Sequence, residues 1–221
     1  MALDEKPGTF IKTYKRVFHD FVYELDQVLK DCDTILDVGC GKSSPIQYLP
    51  RKAHTEGVDL FKPSIDKSKA LGIHDVYHQM NVLDIGKKFK PNSFDAVIAL
   101  DLIEHLTKEE VHSLLKMMQR IAKKKVIVFT PNGFFHQDEF DGNVHQEHKS
   151  GWTVQDMREL GYDVIGIHGW RPVRAKVHER EDRMVRFVWL FLDLTQIYLR
   201  NHPEGAFQLL CWMQKGRRKG K

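Results

Sequence analysis

Apolar positions along this chain follow two rhythms. Phe10, Tyr14, Phe18, Phe21, Leu25, Val28 and Leu29 recur every three or four residues, which predicts an amphipathic helix ahead of everything else. Short apolar runs bounded by turn residues then predict strands near 34–38, 54–59, 75–81, 94–100 and 125–130. Helices are expected between them, near 43–49, 63–71 and 107–122, the last opened by a Thr107/Glu110 capping box. After Trp152 a helix over 154–160 should stop at Gly161, followed by a sixth strand over 162–168. Residues 206–214 read as the final strand, with Phe207, Leu209, Cys211 and Met213 alternating with their neighbours. The stretch 170–203 is longer than a hairpin needs and holds a helix over 184–199 that is apolar around most of its girth. Strands alternating with helices imply a parallel sheet with right-handed crossovers and ligands at the carboxyl ends of its strands.

One of those ends carries chemistry. Residues 35–44 read ILDVGCGKSS, a buried-type strand that breaks into Gly39 and Gly41. Glycine lets the backbone turn tightly and approach a ligand without a Cβ in the way. Asp59 follows Gly39 by twenty positions, at the end of the next strand-like run, where a carboxylate is able to accept hydrogen bonds from two ribose hydroxyls. Strand, glycine turn, helix, strand and acid together suit an adenosine-containing cofactor. A nicotinamide dinucleotide would want G-x-G-x-x-G, and Ser44 stands at the third glycine. A nucleoside triphosphate would want G-x-x-x-x-G-K-S, and Gly41-Lys42-Ser43 ends that motif, but Leu36 occupies its first glycine and Pro45 follows.

The third candidate is S-adenosylmethionine. The Asp37-Val38-Gly39-Cys40-Gly41 stretch resembles motif I of class I S-adenosylmethionine-dependent methyltransferases of the type 11/12 kind. Residues 94–106 resemble the family's motif IV and the loop after it, and residues 125–132 its fifth strand and following turn. The order holds across 30–168. This resemblance implies an α/β, Rossmann-like sheet of seven mostly parallel strands with an antiparallel last strand and helices on both faces. It implies one domain over 1–221: a helical cap over 1–31, a cofactor-binding core over 32–168, an inserted helical segment over 169–205, the last strand over 206–214 and a basic tail over 215–221. It also implies roles. Asp37 would hold the turn and reach the cofactor's ammonium, with Gly39, Cys40 and Gly41 against its methionine part. Asp59, with Leu60 beside it, would take the ribose. Asn81 and Val82 would meet the adenine; the family often has Asp where Asn81 stands, an amide oxygen still accepts, and Asp84 is a nearby alternative. Leu100 and Asp101 would line the wall near the sulfonium. His105 is the candidate general base, its intrinsic pKa suiting proton removal from a nucleophile; otherwise Glu104 and His105 organise the loop.

His136, His145 and His148 cluster in the long polar stretch 133–150. The first reading is solvated histidines and no metal. The second is a mixed carboxylate–imidazole metal set of Glu104, His105, His145 and His148 with Asp101 nearby. Asp101-x-x-Glu104-His105, Thr130-Pro131-Asn132 and His145-x-x-His148 before Trp152-Thr153 are similar in order to the motifs of small-RNA 3′-terminal 2′-O-methyltransferases, with Asp in place of their first Glu.

Bulk properties change this picture little. The 221 residues are 42% hydrophobic and 29% charged, ordinary for a soluble globular protein. The net charge of +4 is mild and owes much to Lys215, Arg217, Arg218, Lys219 and Lys221. Cys32, Cys40 and Cys211 show neither zinc nor disulfide spacing. The MALDEKPG start has no apolar signal core, and no apolar run reaches the roughly 18–20 residues of a spanning helix. A cytoplasmic monomer or homodimer is expected. The 184–199 helix is read first as core packing or a lid, then as a dimer interface, then as an interfacial membrane contact. The expected activity is methyl transfer from S-adenosylmethionine to an oxygen or nitrogen of a small-molecule or glycan- or lipid-linked acceptor. The alternatives are a metal-assisted RNA 2′-O-methyltransferase and a non-catalytic cofactor-binding partner protein.

Overall fold

The computed structural model describes residues 16–17, 19–50, 52–138, 146–179 and 186–216. Seven strands, β1 (Thr34–Val38), β2 (His54–Asp59), β3 (Val76–Gln79), β4 (Phe94–Leu100), β5 (Ala122–Pro131), β6 (Asp163–Trp170) and β7 (Ala206–Gln214), form one sheet in the order β3-β2-β1-β4-β5-β7-β6. Only β7 runs antiparallel to its neighbours, pairing β5 on one side and β6 on the other. The helices are α1 (Phe21–Leu29), α2 (Lys62–Ala70), α3 (Ile85–Lys88), α4 (Lys108–Ile121), α5 (Val154–Glu159), α6 (Arg171–Glu179) and α7 (Arg186–Leu199).

β4 is buried at every position, as its unbroken Phe-Asp-Ala-Val-Ile-Ala-Leu sequence requires of a central parallel strand. Its side chains alternate between two cores. Val97 and Ala99 meet Val111, Leu114, Met118, Trp152 and Met157 from α4, α5 and the segment before α5. Ala96, Ile98 and Leu100 meet Phe21, Leu25 and Leu29 of α1 on the opposite face. The Thr107/Glu110 capping box forms as expected, and Thr153/Asp156 forms a second one at α5.

Several sequence expectations change. The helix expected near 43–49 is a single 3-10 turn, Pro45–Tyr48, because Pro45 offers no N–H and the Ser44 hydroxyl caps the turn through the Ile46 N–H. β3 is shorter than expected and β5 starts earlier, with Ala122 pairing Phe94. The inserted helical segment expected over 169–205 holds two helices, and the first of them, α6, was not given bounds of its own. Phe10, Tyr14, Phe18, Met184 and the basic tail beyond Gly216 lie outside the described residues. Among the described residues no helix is long and apolar enough to cross a membrane.

Two polar ties fix the inserted segment. Arg200, just past α7, donates from Nε and Nη2 to the buried Glu24 carboxylate of α1 at 2.7 and 3.0 Å. Asn132 is buried after β5, and its Nδ2 donates to the carbonyls of Pro203, Glu204 and Ala206 at 3.1, 3.1 and 2.9 Å. Asn132→Ala strands these carbonyls and is expected to lower unfolding stability by about 2 kcal/mol. A urea midpoint unchanged from wild type would show that these bonds contribute nothing.

Candidate functional site

The carboxyl ends of β1, β2, β4 and β5 form one rim, and the sequence-predicted residues gather there. After β1 the chain reverses through Gly39 (φ +74°) and Gly41 (φ +58°), a left-handed conformation that glycine tolerates. A Cβ at Gly39 would sit 2.7 Å from Leu102 Cδ1, so this turn nests directly against the loop after β4. The Gly41 N–H donates to Asp59 Oδ2 at 2.9 Å, and the Phe61 N–H donates to Oδ1 at 2.8 Å. Asp59 is thus oriented at the end of β2 before any ligand arrives. Burial raises its carboxyl, while those two N–H groups pull it back down.

Asp37 is 1% exposed. Its Oδ2 accepts the Ser44 hydroxyl at 2.5 Å and lies 3.3 Å from His74 Nε2, while Oδ1 has no partner among the described residues. Burial pushes the Cys40 thiol up, which makes it inert at neutral pH. The Asn81 side-chain oxygen accepts from the Leu83 N–H at 2.9 Å and so caps the turn Val82–Asp84. Leu100 is buried, whereas Leu60 is exposed.

Asp101 adopts φ +49°, uncommon for a non-glycine residue and a mark of local strain. Its N–H donates to the Phe129 carbonyl and its Oδ1 accepts from Gln208 Nε2 of β7 at 2.9 Å. The side chain is exposed to solvent although protein surrounds the carboxyl on several sides. Crowding raises its carboxyl, and contact with water keeps that rise below what full burial would give.

The following turn, Ile103–His105, is stitched to the segment before α5. The Glu104 carbonyl accepts from Lys149 N at 2.7 Å and Ser150 N at 3.1 Å, and the Ser150 hydroxyl donates to the Ile103 carbonyl. That stitching brings together what lies far apart in sequence. The Glu104 carboxylate, His105 and His148 each offer one ligand atom, and the three atoms lie within 4.8 Å of one another. His105 Nδ1 faces the Glu147 carbonyl at 3.1 Å, and His148 Nδ1 faces the Phe135 carbonyl at 2.6 Å. A carbonyl oxygen accepts and never donates, so Nδ1 carries the proton in both rings and Nε2 keeps its lone pair. Metal-ligating histidines show this second contact as a rule. Burial holds His105 down to about 4 and also lowers His148. Burial, and then the neighbouring Asp101 charge, raise Glu104 well above the usual range, although the Thr130 hydroxyl donates to its Oε2 at 3.2 Å. Two neutral imidazoles and one buried carboxyl form a donor set that fits a divalent cation, which would supply the positive charge the Glu104 carboxylate lacks.

His145 falls outside the described residues, and His136 stands apart, exposed and 3.4 Å from Asp138. Sequence reasoning missed Gln208, which holds Asp101, and His74, which backs Asp37. Neither had a local signal, because each reaches its partner past an intervening strand.

A family model described as a methyltransferase domain matches residues 36–130. A small RNA 2′-O-methyltransferase from Tetrahymena thermophila is 26% identical, over 63% of this chain and 41% of that relative. This chain therefore spans less than half the length of that curated relative. Among solved structures, the methyltransferase domain of a bacterial CtHen1 aligns with 91% of this chain and 100% of its own, at 17% identity and TM-score 0.56. A S-adenosylmethionine-dependent methyltransferase from Archaeoglobus fulgidus aligns with 94% of this chain and 100% of its own, at 16% identity and TM-score 0.53. A phosphoethanolamine N-methyltransferase from Haemonchus contortus, solved with S-adenosylmethionine, aligns with 95% of this chain and 57% of its own, at 14% identity and TM-score 0.55.

Proposed function

We propose that this chain, a class I S-adenosylmethionine-dependent methyltransferase, methylates a sugar hydroxyl with a divalent cation held by Glu104, His105 and His148. The convergence of those three ligand atoms beside the cofactor turn carries the reading. A bound divalent cation supplies Lewis acidity that lowers the proton affinity of a hydroxyl. Everything else is positioning. Asp59 receives the ribose hydroxyls of the cofactor, the Gly39–Gly41 turn admits its methionine part, and Asp37 faces its ammonium. Asn81 and Val82 border the adenine, and Leu100 and Leu102 wall off water near the sulfonium. Asp101, raised by crowding and held by Gln208, is placed to receive the acceptor's proton. His105, held down to about 4, has little proton affinity at neutral pH, which favours a ligand over a general base.

The acceptor we infer is the ribose 2′-hydroxyl at an RNA 3′ end. The order of the Asp101-x-x-Glu104-His105, Thr130-Pro131-Asn132 and His148…Trp152 motifs supports it, as does the named activity of the Tetrahymena relative. A glycan- or lipid-linked sugar hydroxyl is the second reading, favoured by the exposed apolar face of α7. The test is methyl transfer to RNA oligonucleotides ending in a ribose or a 2′-deoxyribose, each with and without Mn²⁺. Transfer only to the ribose end, only with Mn²⁺, is expected. Transfer to neither RNA, together with Mn²⁺-dependent methylation of a lipid-linked sugar, would move the acceptor to the second reading.

The proton balance gives a pH prediction. Glu104 is raised, so a proton competes with the cation for it as pH falls; His105 is lowered, so it does not compete until far more acid conditions. Mn²⁺ affinity is therefore expected to fall by up to about tenfold per unit as pH drops through the raised Glu104 range, above where an ordinary carboxylate titrates, with proton release on binding. Calorimetry in buffers of different ionisation enthalpy reads this directly. An affinity that shows no loss, and no proton release, from neutral pH down to the ordinary carboxylate range would contradict Glu104 as a ligand.

A further inference from the structure

His168 stands where the sheet breaks its register. β6 pairs β7 as Ile167 to Gln208 and next as Trp170 to Ala206, so His168 and Gly169 oppose Phe207 alone in a bulge. Both bulge residues are left-handed, His168 at φ +67° and Gly169 at φ +72°. Glycine is required at the second, where a Cβ would stand 2.6 Å from the Leu192 carbonyl oxygen. A histidine in this conformation costs energy and persists only where its surroundings over-determine it. Helix α7 supplies those surroundings. Gln196 accepts the Gly169 N–H at 2.9 Å and donates to the Gly166 carbonyl at 2.8 Å, and the Thr195 hydroxyl accepts the Trp170 N–H at 3.1 Å. The polar side chains of α7 thus hold the bulge in place.

From the bulge, His168 reaches towards the site rim. Its ring packs against Phe21 and Phe129, with centroids 6.2 and 5.9 Å away, and its Nδ1 lies 2.5 Å from Gln208 Oε1. Gln208 Nε2 in turn donates to Asp101 Oδ1 at 2.9 Å. This line of three side chains has a direction. A carboxylate accepts only, so the amide offers Nε2 to Asp101 and leaves Oε1 for the imidazole. Oε1 also accepts only, so His168 Nδ1 carries a proton. Burial lowers His168, and the Arg174 charge lowers it further against the Gln208 contact, so the neutral ring has this single N–H. Turned the other way, the amide would set its oxygen against the Asp101 carboxylate.

We propose, resting on the proton-accepting role given to Asp101 above, that His168 is a positioning residue for methyl transfer: its Nδ1–H fixes the Gln208 amide, and the amide fixes the Asp101 carboxylate. The inserted segment thereby takes part in turnover. Helix α7 holds the bulge, the bulge holds His168, and His168 acts on the rim through β7.

Two experiments on the full chain test this. Long-range ¹H–¹⁵N correlation spectra with S-adenosylhomocysteine bound read which nitrogen of the His168 ring is protonated, with the ring assigned by its absence in His168→Asn. Protonation at Nδ1 is expected, and a ring protonated at Nε2 alone overturns the proposal whatever the acceptor is. The second experiment is Mn²⁺-dependent methyl transfer to the ribose-ended RNA. His168→Leu should lower kcat about tenfold, with the RNA KM and the S-adenosylhomocysteine affinity within about twofold of wild type. His168→Asn keeps an N–H donor near the place of Nδ1 and tolerates the left-handed backbone, so its kcat should lie within about threefold of wild type. Gln208→Leu should lose as much as His168→Leu, and the double variant little more than either. Additive losses, His168→Asn as slow as His168→Leu, or His168→Leu at wild-type kcat each overturn the proposal. Asp101→Asn at wild-type kcat would remove the role of Asp101 itself and the proposal with it. Wild-type protein that methylates no RNA removes the acceptor reading and leaves the ring measurement to decide.

Discussion

Glu104→Gln is expected to reduce metal-dependent methyl transfer by about 100-fold or more while S-adenosylhomocysteine binding stays at the wild-type level. The substitution keeps the shape of a side chain that is 3% exposed, and it keeps an acceptor oxygen for the Thr130 hydroxyl. It removes only the negative charge. If Glu104 merely clamps the loop, its backbone carbonyl bonds to Lys149 and Ser150 survive the change and turnover survives with them. His148→Ala should produce a loss of the same order through a different ligand. The double variant should then be little worse than either single one, because each already empties the same site. Additive losses would mean that the two side chains act separately. Loss of cofactor binding in Glu104→Gln would make the residue part of the cofactor wall.

Asp59→Ala carries the second large effect. The carboxylate orders its own turn through the Gly41 and Phe61 N–H groups and leaves its remaining lone pairs for a ligand. Hydrogen bonds to a charged acceptor contribute about 1.5–3 kcal/mol each, so S-adenosylhomocysteine affinity should fall about 100-fold. Asp59→Asn, which keeps one acceptor oxygen, should fall between wild type and Ala. A urea midpoint measured alongside separates a lost ligand contact from a lost fold. Affinity unchanged in Asp59→Ala would remove the residue from the cofactor site.

Much of this architecture is legible in the sequence because it is set locally. The apolar run Ala96 to Leu100 of β4, the glycine turn after β1 and the acid ending β2 each announce themselves within a few residues. The seven strands and the antiparallel last strand came with the family resemblance, and the sheet bears them out. What stayed hidden depends on distance along the chain. His148 reaches Glu104 and His105 only because the Lys149 and Ser150 N–H groups dock on the Glu104 carbonyl. No periodicity encodes that contact, so the residues alone read as solvated histidines first, and only the motif order of the resemblance offered Glu104, His105 and His148 as one set, with His145 beside them. Gln208 meets Asp101 across two strands, and the left-handed backbone of Asp101 has no glycine to mark it. The inward-facing Thr195 and Gln196 made α7 look like ordinary core, since an apolar helix gives no hint that its polar residues are the ones turned inside.

The measurement that bears most directly on the central claim is a calorimetric titration of Mn²⁺ into the full chain saturated with S-adenosylhomocysteine. Wild-type protein is predicted to bind one ion per chain, and Glu104→Gln combined with His148→Ala to bind none at the same concentrations. Wild-type protein that binds S-adenosylhomocysteine but gives no Mn²⁺ heat, or a double variant that binds the ion as wild type does, would contradict the account and leave a methyltransferase that works without a metal.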